Sequence, residues 1–303
     1  MLDTLLRALT LVAIIGIGQW IKRLGWVSTS DFSKFSKIVL GVTLPAALFT
    51  SFNTFHVEFA LLGLAVLGLG VNIALQVIGY LSARHRSRQD QAFAVFNTGS
   101  HNIGAFATPY VAGLIGPHAM IYSSLFDIGT AVGSTGVAYG WGMSLAHPSG
   151  HLRLRQILAK VATNPVFVAY VTLLAMQLLS LRLPDQLIVF TSTVGAANPF
   201  LAMLMIGIGL DLRLSRAKYA DAGRLLARRF GFGLIAALAT WFLLPLPEEA
   251  RLVVVMVLFA PIAAMMPGFT AEADLDIELS SFANSVSVLV AIVTMPTLYL
   301  TLG

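Results

Sequence analysis

A chain of 303 residues that is 57% hydrophobic and only 11% charged, with no cysteine and a mean hydropathy of +0.83, is not an ordinary soluble domain. The composition reads as an all-α polytopic membrane protein, and the missing cysteines exclude disulfides and thiolate metal sites. A net charge of +5 divided among short loops, rather than gathered on one surface, argues against nucleic acid as a partner.

The charges cluster, and the uncharged gaps measure the spans, each near the ~20 residues a helix needs to cross ~30 Å of hydrocarbon. The first is the short apolar run 8–21, followed by Trp20, Lys22 and Arg23; it lacks an AxA-type cleavage site, so a retained span is expected rather than a signal peptide. Runs at 38–57 and 59–83 give spans two and three, and long runs at 91–126 and 128–152, separated by Asp127, give four and five. Runs at 161–181, 186–210, 230–247, 252–271 and 279–303 complete ten.

If the N-terminus lies outside, Lys22, Arg23, Lys34 and Lys37, then Arg84, Arg86 and Arg88, then Arg153, Arg155 and Lys160 all face the cytoplasm. So do Arg213, Arg216, Lys218, Arg224, Arg228 and Arg229, leaving only Arg7, Arg182 and Arg251 of the 19 basic residues outside. The positive-inside rule therefore expects both termini on the periplasmic side of a bacterial inner membrane.

The chain also repeats itself weakly at a spacing of about 155 residues. Asp31 precedes Pro45 in span two as Asp185 precedes Pro199 in span seven, and Pro109 in span four answers to Pro267 in span nine. Ser123-Ser124-Leu125-Phe126-Asp127 answers to Ser280-Ser281-Phe282-Ala283-Asn284. The halves, 1–148 and 149–303, join near His147–His151 and hold five spans each, an odd number, so the second is expected to lie inverted. Inverted repeats with paired Gly/Pro-interrupted helices point to a secondary transporter, its site at the repeat interface near the midplane.

The stretch NTGSHNIGAFATPYVAGLIG, Asn97 to Gly116, carries too many polar and breaking residues for a plain lipid-facing helix. Pro109 has no N–H to donate and its ring clashes with the preceding turn, so span four is expected to break there, and span nine around Pro267-Gly268. Two such breaks side by side would aim free N–H groups and positive half-helix ends into one cavity suited to a carboxylate. The plainer alternative is a proline that only kinks its helix; Pro45 and Pro199 read as bends of that kind, and His101 as hydrogen-bonded structure. Asp127 is the one carboxylate well inside a span, ~15 Å deep when counted from Pro117. An acid there is functional by default, although Ser123, Ser124 and Thr130 offer it a purely structural environment. Glu272, Asp274, Asp276 and Glu278 read as a solvated charge run.

The matching elements LPAALFTSF at 44–52, Asn102, Pro109 and Gly116 at sevenfold spacing, Asn198-Pro199 with Ile206-Gly207, the Pro267-Gly268 pair and the closing MPTLYLTLG resemble the auxin efflux carrier family. That family includes plant auxin exporters and bacterial malonate and related organic-acid permeases, and the resemblance runs over essentially the whole chain. It implies ten helices in two inverted five-helix repeats, crossed broken helices four and nine, and alternating-access transport of organic anions, with Asn102 at the crossover asparagine that contacts substrate. On this reading Asn102, Gly104, Thr108, Pro109, Met266, Pro267, Gly268 and Asn284 are expected to bind substrate, and Asp127 to couple a proton or sodium ion, with no cofactor. The long cytoplasmic loop of the plant exporters is absent, which fits a compact bacterial-type member, while His101 has no counterpart in the resemblance and the substrate stays open. A bile-acid-type sodium symporter, a sodium/proton antiporter and a non-transporting membrane sensor are the alternatives. An enzyme is not expected, since no GxSxG, HExxH or paired intramembrane aspartates occur; a homodimer in the lipid bilayer is compatible with each reading.

Overall fold

The computed structural model describes residues 2–53, 59–147 and 154–303, and every regular element among them is a helix. In chain order these are α1 (Leu2–Arg23), α2 (Thr29–Asn53), α3 (Gly63–Ser82), the short pair α4 (Arg88–Thr98) and α5 (Ile103–Leu114), and α6 over 119–146. Then follow α7 (Leu154–Ala162), α8 (Pro165–Leu178), α9 (Asp185–Gly209), α10 (Tyr219–Leu243), a second short pair α11 (Glu248–Val257) and α12 (Met266–Glu272), and α13 (Ile277–Leu302). By length and composition six of the described helices can cross a membrane, and α7 with α8, bent by 72°, makes a seventh if the pair is one span. The chain is a multi-pass membrane protein.

Helix ends follow capping chemistry more closely than they follow the uncharged runs. α2 begins at Thr29, well before residue 38, because Ser28 N–H donates to Asp31 Oδ2 at 2.8 Å and closes an otherwise open donor. The expected span over 161–181 is cornered instead of continuous. Asn164 Oδ1 accepts from Val166 N–H at 3.0 Å and Phe167 N–H at 3.4 Å, and Pro165 takes the first helical position, where its missing N–H is no loss. The far end of expected span two, and the junction of the halves beyond His147, lie outside the described residues.

The two breaks do not fall at the expected prolines. α4 stops at Thr98 and α5 starts at Ile103, so the interruption precedes Pro109. Pro109 continues α5 because the turn before it, Ile103–Ala107, is a wide π-helical one, with Ala107 N–H donating to Asn102 O five residues back. The wider turn moves the carbonyl that a proline ring would strike. Pro45 follows the same device, a π-helical turn over Val39–Thr43. In the second half, Pro267 and Pro199 each sit in the first turn of a helix that restarts, after the non-helical stretch 258–265 and after the single turn residue Ala197 respectively. A first turn has no use for that N–H, so these prolines begin segments and do not break them.

Three charged residues expected in aqueous loops make specific contacts. Lys22 Nζ donates to Ile208 O at 2.8 Å and Leu210 O at 2.6 Å, closing the open carbonyls at the end of α9. Glu272, expected in a solvated charge run, ends α12 and binds Tyr139 and, at 2.8 Å, Lys160. Arg229, expected in an inner loop, lies within α10 and is 2% exposed. Its transfer inward leaves the basic asymmetry of the loops intact.

α1 packs along the last part of α9 at backbone distance. A Cβ on Gly18 would stand 2.9 Å from Gly207 Cα, and one on Gly207 would stand 3.0 Å from Gly18 Cα, so neither position has room for a side chain. Gly16, on the same helix, faces open space. Gly207→Leu is expected to cost about 3 kcal/mol and lower the thermal unfolding midpoint in detergent, whereas Gly16→Leu leaves it within error; equal shifts would disprove the close contact.

Candidate functional site

The stretches that interrupt the two short pairs cross each other as extended backbone. Asn102 N–H donates to Pro261 O at 2.8 Å and Ala263 N–H donates to Ser100 O at 3.3 Å, an antiparallel bridge that pairs His101 with Ile262. Each break thus supplies partners for groups the other leaves open, which is how non-helical backbone persists inside an apolar bundle. Gly99 permits the approach from α3: a Cβ there would lie 2.8 Å from Gln76 N and 3.0 Å from Gln76 Cα.

Three flanking helices tie the crossing down. From α10, Arg229 Nη1 donates to Thr98 O at 2.7 Å, and Nη2 donates to Ala260 O and Pro261 O, both at 3.0 Å. From α6, the buried Asp127 carboxylate accepts from Thr130 Oγ1 at 2.5 Å and from Tyr170 Oη of α8 at 2.9 Å, and it lies against Gly104 at the start of α5. From α13, Asn284 Nδ2 donates to Ile262 O at 2.8 Å and Ala263 O at 3.3 Å. Ser287 Oγ of α13 accepts from Ile262 N–H at 2.9 Å. A further polar set joins α4, α12 and α13, in which Asn97 contacts Thr270 Oγ1 at 3.3 Å and Ser280 Oγ at 2.5 Å.

A cavity of about 520 Å³ ends on this crossing. Its inner wall carries His101, Asn102, Gly104 and Asp127 with Pro267 and Gly268, and Lys37 and Asn164 stand on the α2 and α8 sides. His101 and Asn102 are each 4% exposed, and His101 Nδ1 and Asn102 Nδ2 are buried without a protein partner. The structure therefore brings together five of the residues expected to bind substrate or an ion, Asn102, Gly104, Asp127, Pro267 and Gly268, and adds His101 to them. Asn284 faces a smaller cavity of about 140 Å³ that shares Phe32, Ala264 and Pro267 with the larger one. Thr108, Pro109 and Met266 lie off both walls: all three are buried, and Thr108 faces the Tyr170 hydroxyl. No cluster of metal-ligating side chains occurs among the described residues.

Sequence reasoning missed Arg229, Tyr170 and Asn164. Arg229 directly follows Arg228 at the edge of an uncharged run, and nothing local separates an arginine in water from one a turn further into the helix. Asn164-Pro165 is a legible helix start that the length of the uncharged run overrode.

The family model described as Membrane transport protein matches residues 5–140. An uncharacterized transporter of Methanothermobacter thermautotrophicus is 25% identical over 97% of this chain and 96% of the relative. These findings bear out the resemblance to the auxin efflux carrier family.

The contact at Asn284 is directional, because an amide donates to two carbonyls where an ionised acid would face them with like polarity. Asn284→Ala is expected to destabilise by about 1 kcal/mol and Asn284→Asp by about 3 kcal/mol, read as thermal midpoints in detergent at pH 8. If the Asp variant is as stable as the Ala variant, the amide does not hold the α11–α12 break.

Proposed function

We propose that this chain, whose residues 5–140 match the Membrane transport protein family, is a secondary transporter of small organic anions, carboxylates above all. It binds them where the α4–α5 break crosses the α11–α12 break and moves them by alternating access. The observation that carries this reading is the cavity of about 520 Å³ that ends on two mutually paired breaks, with unpartnered polar atoms of His101 and Asn102 in its wall. Asn102 leads into α5, and its side-chain amide beside the open N–H groups of that helix start suits a carboxylate.

Two features support an inverted repeat of five spans in each half. Asp127 and Asn284, matched in the sequence repeat, each hold the break of their own half, at Gly104 and at Ile262, which are separated by nearly the same offset. α1 packs on α9 as α8 packs on α2, which is the exchange of first spans that such a repeat requires. With both termini periplasmic, the cavity mouth beside Lys37 and Asn164 faces the cytoplasm. An alkaline phosphatase fused to the C-terminus should then be active and a fluorescent protein there dark; the reverse pattern inverts the orientation.

Asp127 is the proposed coupling residue. Its carboxylate already lies against Gly104 at the start of α5, so an ionised Asp127 and a substrate carboxylate compete for one helix end. Protonating Asp127 removes that competition and binds proton and anion together, which makes the carrier a symporter. Purified protein in proteoliposomes should accumulate at least one of radiolabelled malonate, succinate, acetate or indole-3-acetate above protein-free vesicles. Asn102→Ala should lower that uptake by about tenfold, the loss of a hydrogen bond to a charged group, with the variant still monodisperse. Asp127→Asn should keep exchange and lose stimulation by an imposed pH gradient. No uptake of any of the four acids under proton or sodium gradients would leave a sensor as the better description, and a pH response retained by the Asn variant would make Asp127 structural.

A further inference from the structure

We infer that Arg229 is a positioning residue that sets Asn102 through the Pro261 carbonyl and supplies the fixed positive charge that makes the cavity at the crossing favour anions. The inference rests on the transporter reading above, and Arg229 is not itself a cavity-wall residue.

The geometry runs through one oxygen. Pro261 O accepts from Arg229 Nη2 at 3.0 Å on one side and from Asn102 N–H at 2.8 Å on the other. A shift of the guanidinium therefore shifts the backbone of the residue that faces the cavity. Arg229 also holds Thr98 O, the last residue of α4, and Ala260 O, in the stretch that follows α11.

The charge follows from the helix ends. The C-terminus of a helix carries about half a negative charge, and both α4 and α11 end at the crossing. These two ends put about one negative unit beside the cavity and offset the positive starts of α5 and α12, so the helix ends alone give a carboxylate no net attraction. Arg229 meets them with carbonyl contacts only: among the described residues no carboxylate pairs with it, and its Nε is buried with no partner. A neutral amide could hold two of the same carbonyls without the desolvation that a buried cation entails. What the cation adds is field, one hydrogen-bonded residue removed from Asn102 on the cavity wall. The other charged groups around the cavity are Asp127 on its wall and Lys37 at its mouth.

The natural chain has no cysteine, so a single introduced thiol reads the field directly and without knowledge of the substrate. Ala264→Cys places that thiol on the cavity wall, three residues after Pro261. Its modification rate is measured with the anionic sulfonatoethyl and the cationic trimethylammonioethyl methanethiosulfonates, and the ratio is referred to that of 2-mercaptoethanol in solution. With Arg229 in place the ratio should favour the anionic reagent over the solution value by about fivefold. Arg229→Lys should retain most of that preference, while Arg229→Gln and Arg229→Met should remove it. In uptake of whichever of the four acids the wild-type protein accumulates, Gln should raise KM about tenfold or more and Lys only partly so. A ratio at or below the solution value with Arg229 present overturns the inference even if the neutral variants fail to fold. A ratio unchanged in a folded Gln variant overturns it too and leaves Arg229 as a packing residue. Anion preference at the introduced thiol without uptake of any acid would fail the transporter reading and uphold the field.

Discussion

Two helices that stop inside an apolar bundle expose backbone N–H and C=O groups that no water can satisfy, and the rest of this structure is arranged around meeting that demand. The breaks lie across each other and share two hydrogen bonds, but an antiparallel bridge of that length leaves the last carbonyls of α4 and the carbonyls after α11 still open. Side chains from neighbouring helices meet the open groups of both kinds: Arg229 of α10 and Asn284 of α13 donate to the carbonyls, Ser287 of α13 accepts the Ile262 N–H, and Asp127 of α6 lies against the start of α5. The positions of those three helices relative to the crossing are thereby fixed by hydrogen bonds as well as by packing.

The same demand explains why Asp127 and Asn284 differ although the sequence repeat pairs them. Asp127 meets the beginning of a helix, where donors are open, and only an acceptor serves. Asn284 meets carbonyls of an extended stretch, where only a donor serves. The asymmetry of acid and amide follows from the breaks themselves: α5 restarts soon after Asn102, whereas the second break stays extended through Ala263 before α12 begins. The first break is therefore held by a titratable group and the second is not.

The membrane-spanning helices were legible because charge clusters and apolar runs obey length alone, and α3, α9, α10 and α13 fall within a few residues of their uncharged runs or extend them by a turn or more. Asp127 was legible for the same reason, as the one acid isolated in such a run. The expected breaks stand about two to three turns late. Proline is a strong local signal, yet a wide turn accommodates Pro109 and first helical turns accommodate Pro199 and Pro267, so the breaks lie at Gly99 and around Pro261, where tertiary pairing and close approach decide. Arg229 was illegible on principle: its role depends on two segments about 130 and about 30 residues away, and neither leaves a trace beside it in the sequence.

Elsewhere in the chain several basic residues meet acids, although Lys22, like Arg229, meets helix-end carbonyls. Lys160 pairs with Glu272, Lys218 with Asp276 and Glu278, and Arg224 with Asp221, all at partly exposed positions where a paired charge costs little to hold. Arg229, 2% exposed, is the deeply buried case, and among the described residues it meets carbonyls and no carboxylate. An acid there would cancel the guanidinium charge, whereas the carbonyls satisfy its donors and their helix-end charge is already offset by the starts of α5 and α12. A fold selected only for stability gains nothing from leaving that charge unopposed, whereas on the transporter reading it gains a cavity whose best counter-ion is the cargo. On the same reading Asp127, on the cavity wall, is the internal alternative to that cargo, and the proton it is proposed to carry would decide which of the two carboxylates the crossing accommodates.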